Sequence, residues 1–175
     1  MRQVKSIELL NKLVTINNDR IKGYEVAITE THDEEVQSLF IDLASTSRHC
    51  RQLLIEEIQR LGGHATKESR LSGKIFRVWM DVKAALTGRD LRYVLDSCDF
   101  GEAFASSVYQ NILTNKGHLL SSEQNDMIRG QYENLRADRT RLTSMQKVFV
   151  LAQSVIVSAQ QHIKEFKTPY RHDYD

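Results

Sequence analysis

Residues that break helices are scarce in this sequence. The 175 residues include one proline, Pro169, and eight glycines, and aromatic residues make up only 7% of the chain. Long β-branched runs are also few, whereas 27% of the residues are charged. This composition favours helices over a sheet. A chain of this length normally forms one domain with a single core.

Cysteine is scarce as well. Cys50 and Cys98 lack the CxxC spacing of metal and redox sites, and two cysteines are too few for a disulfide scaffold. We therefore expect two buried free thiols in a reducing compartment, which favours a cytoplasmic location.

Charge of one sign and long apolar runs are absent too. The net charge of +1 provides no field that would attract nucleic acid or an anionic membrane. We find no window of about 18 apolar residues, and the start, MRQVKSIELLNKL, lacks the apolar core of a secretory signal. We expect neither nucleic acid nor a membrane as a partner. No nucleophile–base constellation or phosphate loop is present in the sequence, so only metal chemistry has support among enzyme functions.

Local patterns divide the chain into long helical segments. Capping patterns indicate helix starts and paired glycines indicate a stop: Thr31 with Glu34, Asp90, Ser121 with Gln124, and LGG at 61–63. The predicted long helices are 4–31, 34–61, 90–115 and 121–147 or beyond, with a shorter helix at 74–86.

Each long segment carries an apolar stripe at helical spacing, as in Leu10, Val14 and Ile21. Four amphipathic helices of similar length predict a four-helix bundle. The first and last connections are short, so the helices that they join should be antiparallel. The middle connection of about 28 residues can return the chain to the opposite end. The prediction is an all-α, ferritin-like up-down-down-up bundle with a helical crossover and an extended C-terminal helix.

The last helix is expected to be unusually long. If unbroken, it has about 45 residues and extends near 70 Å, and Val148, Leu151 and Val155 widen its apolar face. Its heptad stripe contains Leu142, Met145, Phe149, Ala152, Ile156, Ala159, Ile163 and Phe166. The helix should fold back on the bundle or pack against another subunit, and we favour self-association into a homo-oligomer. The predicted division is therefore a bundle at 1–147 and an extension and tail at 148–175.

Polar residues interrupt the stripes near the middle of the bundle. At 100° per residue, Asn17, Ser47 and Glu102 fall on or near the stripe centres at similar depth, and Arg139 is long enough to reach that level. We predict a buried polar layer of Asn17, Ser47, Glu102 and Arg139. Glu102 can be paired with Arg139, unpaired with a raised pKa, or a metal ligand.

A metal centre at this level would use Glu102, with Glu25 and His49 as further donors. Glu25 lies about 70° from the centre of the apolar stripe of the first helix, and His49 lies about 130° from the centre of the stripe of the second helix. A di-iron carboxylate bundle uses paired Glu-x-x-His motifs, and none occurs in this sequence. An arginine facing the same cavity would repel a cation. We therefore expect no cofactor, with iron or manganese as the alternative.

Five segments carry a resemblance to a known family: LLNKLVTINNDRIKGYEVA at 9–27, LGG at 61–63, GKIFRVWMDVKAALTGRD at 73–90, GE at 101–102, and QYENLRADRTRL at 131–142. Together they resemble a bacterial ferritin-like four-helix-bundle family of unknown function, over about residues 4–147. The most specific match is a G-x-x-x-R-x-W-x-x-x-K pattern, formed here by Gly73, Arg77, Trp79 and Lys83.

The resemblance implies the ferritin-like fold and argues against a working metal site. The family has a histidine after Gln-Tyr and often a glutamate on the second helix, whereas this sequence has Arg139 and Thr46 there. The first functional hypothesis is a non-enzymatic, oligomeric bundle with a degenerate metal site and a structural or stress-related role. The alternative is a di-metal carboxylate protein that binds or oxidises iron.

Overall fold

A computed structural model describes residues 2–67 and 91–167 of the chain. The described residues form α-helices and one 3-10 helix and contain no strand. The elements are α1 (Arg2–Glu30), α2 (Glu34–Arg60), α3 (Leu91–Asn115), the 3-10 helix Gly117–Leu119, and α4 (Ser122–Lys167). The all-α prediction is confirmed, and the predicted bounds agree to within about two residues wherever both ends were predicted.

Two of the predicted helix boundaries are explained by their hydrogen bonds. At the start of α4, Ser121 Oγ accepts from the Gln124 amide at 3.2 Å and Gln124 Oε1 accepts from the Ser121 amide at 2.9 Å, which confirms the capping box. After α2, Gly62 adopts φ 71° and the Gly63 amide donates to Ile58 at 2.9 Å. This left-handed turn ends the helix as LGG predicts.

The N-cap of α2 is Asp33, so the prediction of Thr31 was wrong. Asp33 Oδ1 accepts from the Val36 amide at 3.0 Å. The Thr31 amide still donates to Ala27 at 3.1 Å, so Thr31 belongs to the last turn of α1. Several predictions for the connection between α2 and α3 fall outside the described residues. They are the cap at Asp90, the helix at 74–86, and the motif residues Gly73, Arg77, Trp79 and Lys83.

Contacts at two levels give the directions of α1, α2 and α4. Ser6 donates to Gln124 at 2.8 Å, and Gln124 donates to Glu57 at 2.6 Å, so the start of α1, the end of α2 and the start of α4 meet at one end. Further along, Arg20 of α1 contacts Asp138 of α4 at 3.2 Å. Helices α1 and α4 therefore run in the same direction, and α2 runs against them.

The direction of α3 follows from two contacts with α1. Asn17 contacts Tyr109 at 2.7 Å, and Arg20 contacts Glu102 at 2.8 Å. Residue numbers rise along α1 while they fall along α3, so the two helices are antiparallel. The described helices thus run up, down, down and up, as the sequence predicts.

The core consists of two apolar clusters on either side of a polar middle. One cluster lies toward the start of α1 and includes Leu10, Leu13, Leu54, Ile112 and Leu135. The other lies toward the end of α1 and includes Tyr24, Phe40, Leu43, Leu95 and Leu142. Cys50 and Cys98 are buried and free, as predicted.

Helix α4 continues well beyond the other helices. It has 46 residues, whereas α1, α2 and α3 have 29, 27 and 25. Leu142 is its last buried residue, Phe149 is partly buried, and residues 150–164 are exposed. The predicted extension is therefore one continuous helix, and it does not fold back on the described part of the bundle.

One expectation about α4 was wrong. The helix contains a stretch that is long and apolar enough, by length and composition, to cross a membrane, and only 6% of that stretch is buried. The expectation of no spanning stretch rested on the absence of a window of about 18 apolar residues; Gln153, Ser154 and Ser158 do interrupt the apolar residues here. The high hydropathy of the valines and isoleucines between them outweighs the low hydropathy of these polar residues.

Candidate functional site

A charged network fills the middle of the bundle. Arg20 donates from Nε to Glu102 Oε1 at 2.8 Å and from Nη2 to Glu102 Oε2 at 3.0 Å. The same Nη2 donates to Asp138 Oδ2 at 3.2 Å. The exposed fractions of Arg20, Glu102 and Asp138 are 4%, 1% and 5%. One buried guanidinium therefore joins carboxylates of two other helices.

Two hydroxyl groups complete the network. The Tyr24 hydroxyl donates to Glu102 Oε1 at 2.5 Å. Thr46 Oγ1 lies 3.4 Å from Asp138 Oδ1 and 3.3 Å from the carbonyl of Asp42 in its own helix, so two acceptors share its one proton. The Tyr24 ring packs against Phe40 with the ring centroids 5.6 Å apart. Glu102 thus accepts three hydrogen bonds, two of them from a cation, and these bonds offset the loss of water around its charge.

Burial and the neighbouring charges determine which groups are protonated. Burial is the largest single effect on the pKa of Arg20 and would lower it, but the charge and hydrogen bonds of Glu102, together with the charges of Tyr24 and Asp138, outweigh burial and raise that pKa above its usual value. Burial, followed by the charge of Glu102, raises the pKa of Tyr24 well above its usual range. Burial also raises the pKa of Asp138, and Arg20 opposes this change. Arg20 therefore stays a cation and Tyr24 stays a hydroxyl donor.

A neutral hydrogen-bonded chain lies one to two helical turns from the charged network. Asn17 Nδ2 donates to the Tyr109 hydroxyl at 2.7 Å, which donates to Gln131 Oε1 at 2.9 Å. Gln131 Nε2 then donates to the carbonyl of Cys50 at 3.1 Å. The chain links all four helices and satisfies polar groups that would otherwise be costly to bury, although Asn17 Oδ1 has no partner among the described residues.

The predicted polar layer is only partly formed. Asn17, Ser47 and Glu102 are buried, but the Ser47 hydroxyl donates to Leu43 of its own helix at 2.8 Å rather than to the other two. The side chain of Arg139 is 42% exposed and binds Asp99 at 2.6 and 3.0 Å.

The predicted pairing of Glu102 with Arg139 was therefore wrong. Arg139 lies on the flank of α4, where Asp99 meets it one turn before Glu102 on α3. The preceding residue, Asp138, faces the interior instead, and Arg20 of α1 provides the cation for Glu102.

The three predicted metal ligands are not brought together. Glu25 is exposed and accepts from Arg48 at 2.8 Å, and His49 is exposed on α2. Among residues 2–67 and 91–167, no three His, Cys, Asp or Glu side chains form a group that could hold a metal ion. The guanidinium of Arg20 occupies the position between Glu102 and Asp138. The described residues therefore do not fit a di-metal centre at this level of the bundle.

Sequence reasoning missed Arg20 and Asp138, although spacing could have found them. Arg20 follows Asn17 by three residues and precedes Tyr24 by four, so all three share one face of α1. Asp138 follows the buried Leu135 by three residues. Both positions continue an apolar stripe, and a charge on such a stripe indicates a buried ion pair.

The chain matches a known protein family over much of its length. One family profile, described as a domain of unknown function (DUF2383), matches residues 5–115, which is more than half of the chain. The chain belongs to the DUF2383 family. The matched DUF2383 region includes Arg20, Tyr24, Thr46 and Glu102, whereas Asp138 lies outside it. No curated protein sequence matches the chain. Membership of a family of unknown function is therefore confirmed, whereas the ferritin-like character of that family stays a prediction.

Proposed function

We propose that this DUF2383 protein is a non-enzymatic, ferritin-like bundle with a structural or stress-related role, and that it self-associates through its C-terminal helix. The observation that carries the proposal is the apolar surface of α4 beyond the bundle. Its large exposed residues are Val148, Val150, Leu151, Val155, Ile156, Val157 and Ile163, each at least 41% exposed. Exposed apolar surface on this scale is typical of interaction sites.

The pattern of this surface favours a second copy of the chain as the partner. Phe149, Ala152, Ile156, Ala159 and Ile163 follow alternating spacings of four and three residues, which is the heptad seam of a coiled coil. Asp, Glu, Lys and Arg are all absent from residues 148–163. Copies of this segment can therefore approach one another without repulsion between like charges.

Polar side chains within the stretch argue against a membrane as the partner, although the stretch is long and apolar enough to cross one. Gln153, Ser154 and Ser158 interrupt its apolar residues, and Gln160, Gln161 and His162 follow them. Such side chains are costly in contact with lipid tails, whereas on the flank of a helical bundle they remain hydrated.

The interior supports a role without catalysis. Arg20 provides the positive charge for Glu102 and Asp138, so the network has no need of a metal cation. Burial raises the pKa of Cys50 to about 11 and also raises the pKa of Cys98, which keeps both thiols protonated and unreactive. The same buried free thiols support our placement of the protein in the cytoplasm.

Solution mass tests the self-association. We expect the full chain to scatter light as a multiple of 20.2 kDa, and a truncation after Lys147 to scatter as a monomer. Circular dichroism and thermal unfolding of the truncated chain establish that its bundle is folded. The same subunit number before and after truncation would rule out assembly through the extension.

Metal content distinguishes the proposal from the alternative. We expect protein purified without chelator to contain far less than one iron or manganese per chain. The control is Glu102→Ala, which removes the central carboxylate. Near-stoichiometric metal that disappears in this variant would overturn our proposal in favour of a di-metal protein.

A further inference from the structure

A groove on the outer surface of the bundle lies between α3 and α4. Its volume of about 410 Å³ is within the range of small-molecule sites. The described residues that line it include Arg136, Arg139 and several hydroxyl side chains, and none of them is acidic. The groove therefore has a local positive charge, although the chain as a whole is nearly neutral.

Arg136 is the guanidinium in this groove without a carboxylate partner. Its Cζ atom lies 6.0 Å from the centroid of the Tyr132 ring, in a cation–π contact. It forms no ion pair with any of the described residues. Because a stacked guanidinium keeps its N–H donors in the plane of the group, these donors remain available to an anion at its edge.

Arg139 is a fixed second cation. Its Nε and Nη2 atoms bind Asp99 at 2.6 and 3.0 Å, which leaves Nη1 outside this pair. Asp99 holds the side chain in place and offsets part of its charge. Arg136 therefore contributes most of the unneutralised charge of the groove.

The hydroxyl groups that line the groove differ in whether they are already engaged in a hydrogen bond within the protein. Those of Ser107, Thr140 and Thr143 already donate to backbone carbonyls of their own helices at 2.7 to 3.0 Å. Ser106 Oγ, in contrast, is buried and has no hydrogen-bond partner within the described chain. A buried hydroxyl without a partner is unusual. Ser106 lines the groove, so rotation of its side chain to another rotamer would bring this donor to an oxyanion bound there.

We propose that this groove binds the phosphate group of a small phosphorylated molecule. Two arginines and one free hydroxyl are donors of the kind that bind phosphate oxygens. The groove is larger than phosphate itself, and the Tyr132 ring provides a surface for an organic group attached to the phosphate. This site lies entirely before residue 148, so it does not depend on the proposed self-association.

Calorimetric titration of the full chain with inorganic phosphate and with phenyl phosphate, at constant ionic strength, tests the site. We expect both probes to bind, and phenyl phosphate to bind more tightly because its ring can contact Tyr132. Arg136→Gln should weaken binding at least about tenfold, the effect of losing one charge-assisted hydrogen bond. Ser106→Ala should weaken it by a smaller factor.

Arg141→Gln is the matched control, because Arg141 is an exposed arginine of the same helix that does not line this groove. We expect this variant to bind both probes as the wild type does. Absence of saturable binding to the wild type would overturn the proposal. Equal losses in Arg136→Gln and Arg141→Gln would also overturn it, because they would indicate general charge attraction. Arg136 is exposed, so both variants should fold, and circular dichroism verifies this.

Discussion

Arg20 and Glu102 form a buried ion pair with two hydrogen bonds, at 2.8 and 3.0 Å, which joins α1 to α3. The same guanidinium reaches Asp138 of α4 at 3.2 Å. The pair lies between the two apolar clusters of the core. The cation at the centre of the bundle therefore belongs to the chain itself, at the level where the sequence hypothesis placed a metal.

Removal of Arg20 should be strongly destabilising. Arg20→Ala leaves Glu102 and Asp138 buried without their cation, and we expect the free energy of unfolding to fall by about 3–5 kcal/mol. Urea denaturation measures this change. Arg139→Ala is the control, because its pair with Asp99 is partly exposed and should contribute at most about 1 kcal/mol. Equal losses in the two variants would show that the Arg20 network adds nothing beyond a surface ion pair.

The hydroxyl of Tyr24 should contribute measurably to the network. Tyr24→Phe keeps the ring against Phe40 but removes the donor to Glu102, and we expect a loss of about 1–2 kcal/mol in the free energy of unfolding. The matched change is Tyr132→Phe at the surface groove, where we expect an effect within about 0.5 kcal/mol. If Tyr24→Phe is as mild as this control, the hydrogen bond to Glu102 contributes no net stability.

Asp19 should make the protein less stable as pH rises. Its carboxylate is buried with no hydrogen-bond partner within the described chain, and burial raises its pKa to about 6, partly opposed by Lys22. In the unfolded chain the pKa is about 3.9. Between these values the folded state holds a proton that the unfolded state has lost, so the free energy of unfolding falls as pH rises from about 4 to 6.

Asp19→Asn should remove the loss of stability that the Asp19 charge causes at higher pH. We expect the variant to be more stable than the wild type by about 1–3 kcal/mol at pH 8, and nearly equal to it below pH 4, where both chains are neutral at this position. Urea denaturation across this pH range measures the difference. Glu8→Gln, an exposed acid on the same helix, is the control. A gain of the same size at both ends of the range would contradict the role of the Asp19 charge.

Local sequence patterns determine most of the described fold. The glycines at 62–63 and the pairing of Ser121 with Gln124 mark helix ends through backbone geometry that few other residues allow. The inward position of Glu102 follows from helical spacing alone. These features depend on neighbours a few residues apart, which a single sequence displays directly.

Partners across the bundle are harder to predict from one sequence. Asp138 and Arg139 are adjacent and differ by about 100° around α4, so a small error in the stripe centre changes which side chain faces inward. Long arginine side chains add to this uncertainty because they reach several ångströms from the helix axis. For these reasons the sequence placed Arg139 beside Glu102, where the structure has Arg20.

The self-association of α4 is tested most directly by single substitutions in the full chain. Ile156→Glu places a charge in the heptad seam, and Ser154→Glu places the same charge on the opposite face of the exposed helix. Sedimentation equilibrium across a concentration series should give a multiple of 20.2 kDa for the wild type and for Ser154→Glu, and the monomer mass for Ile156→Glu. A wild-type chain that remains monomeric, or one common mass for all three proteins, would contradict the account.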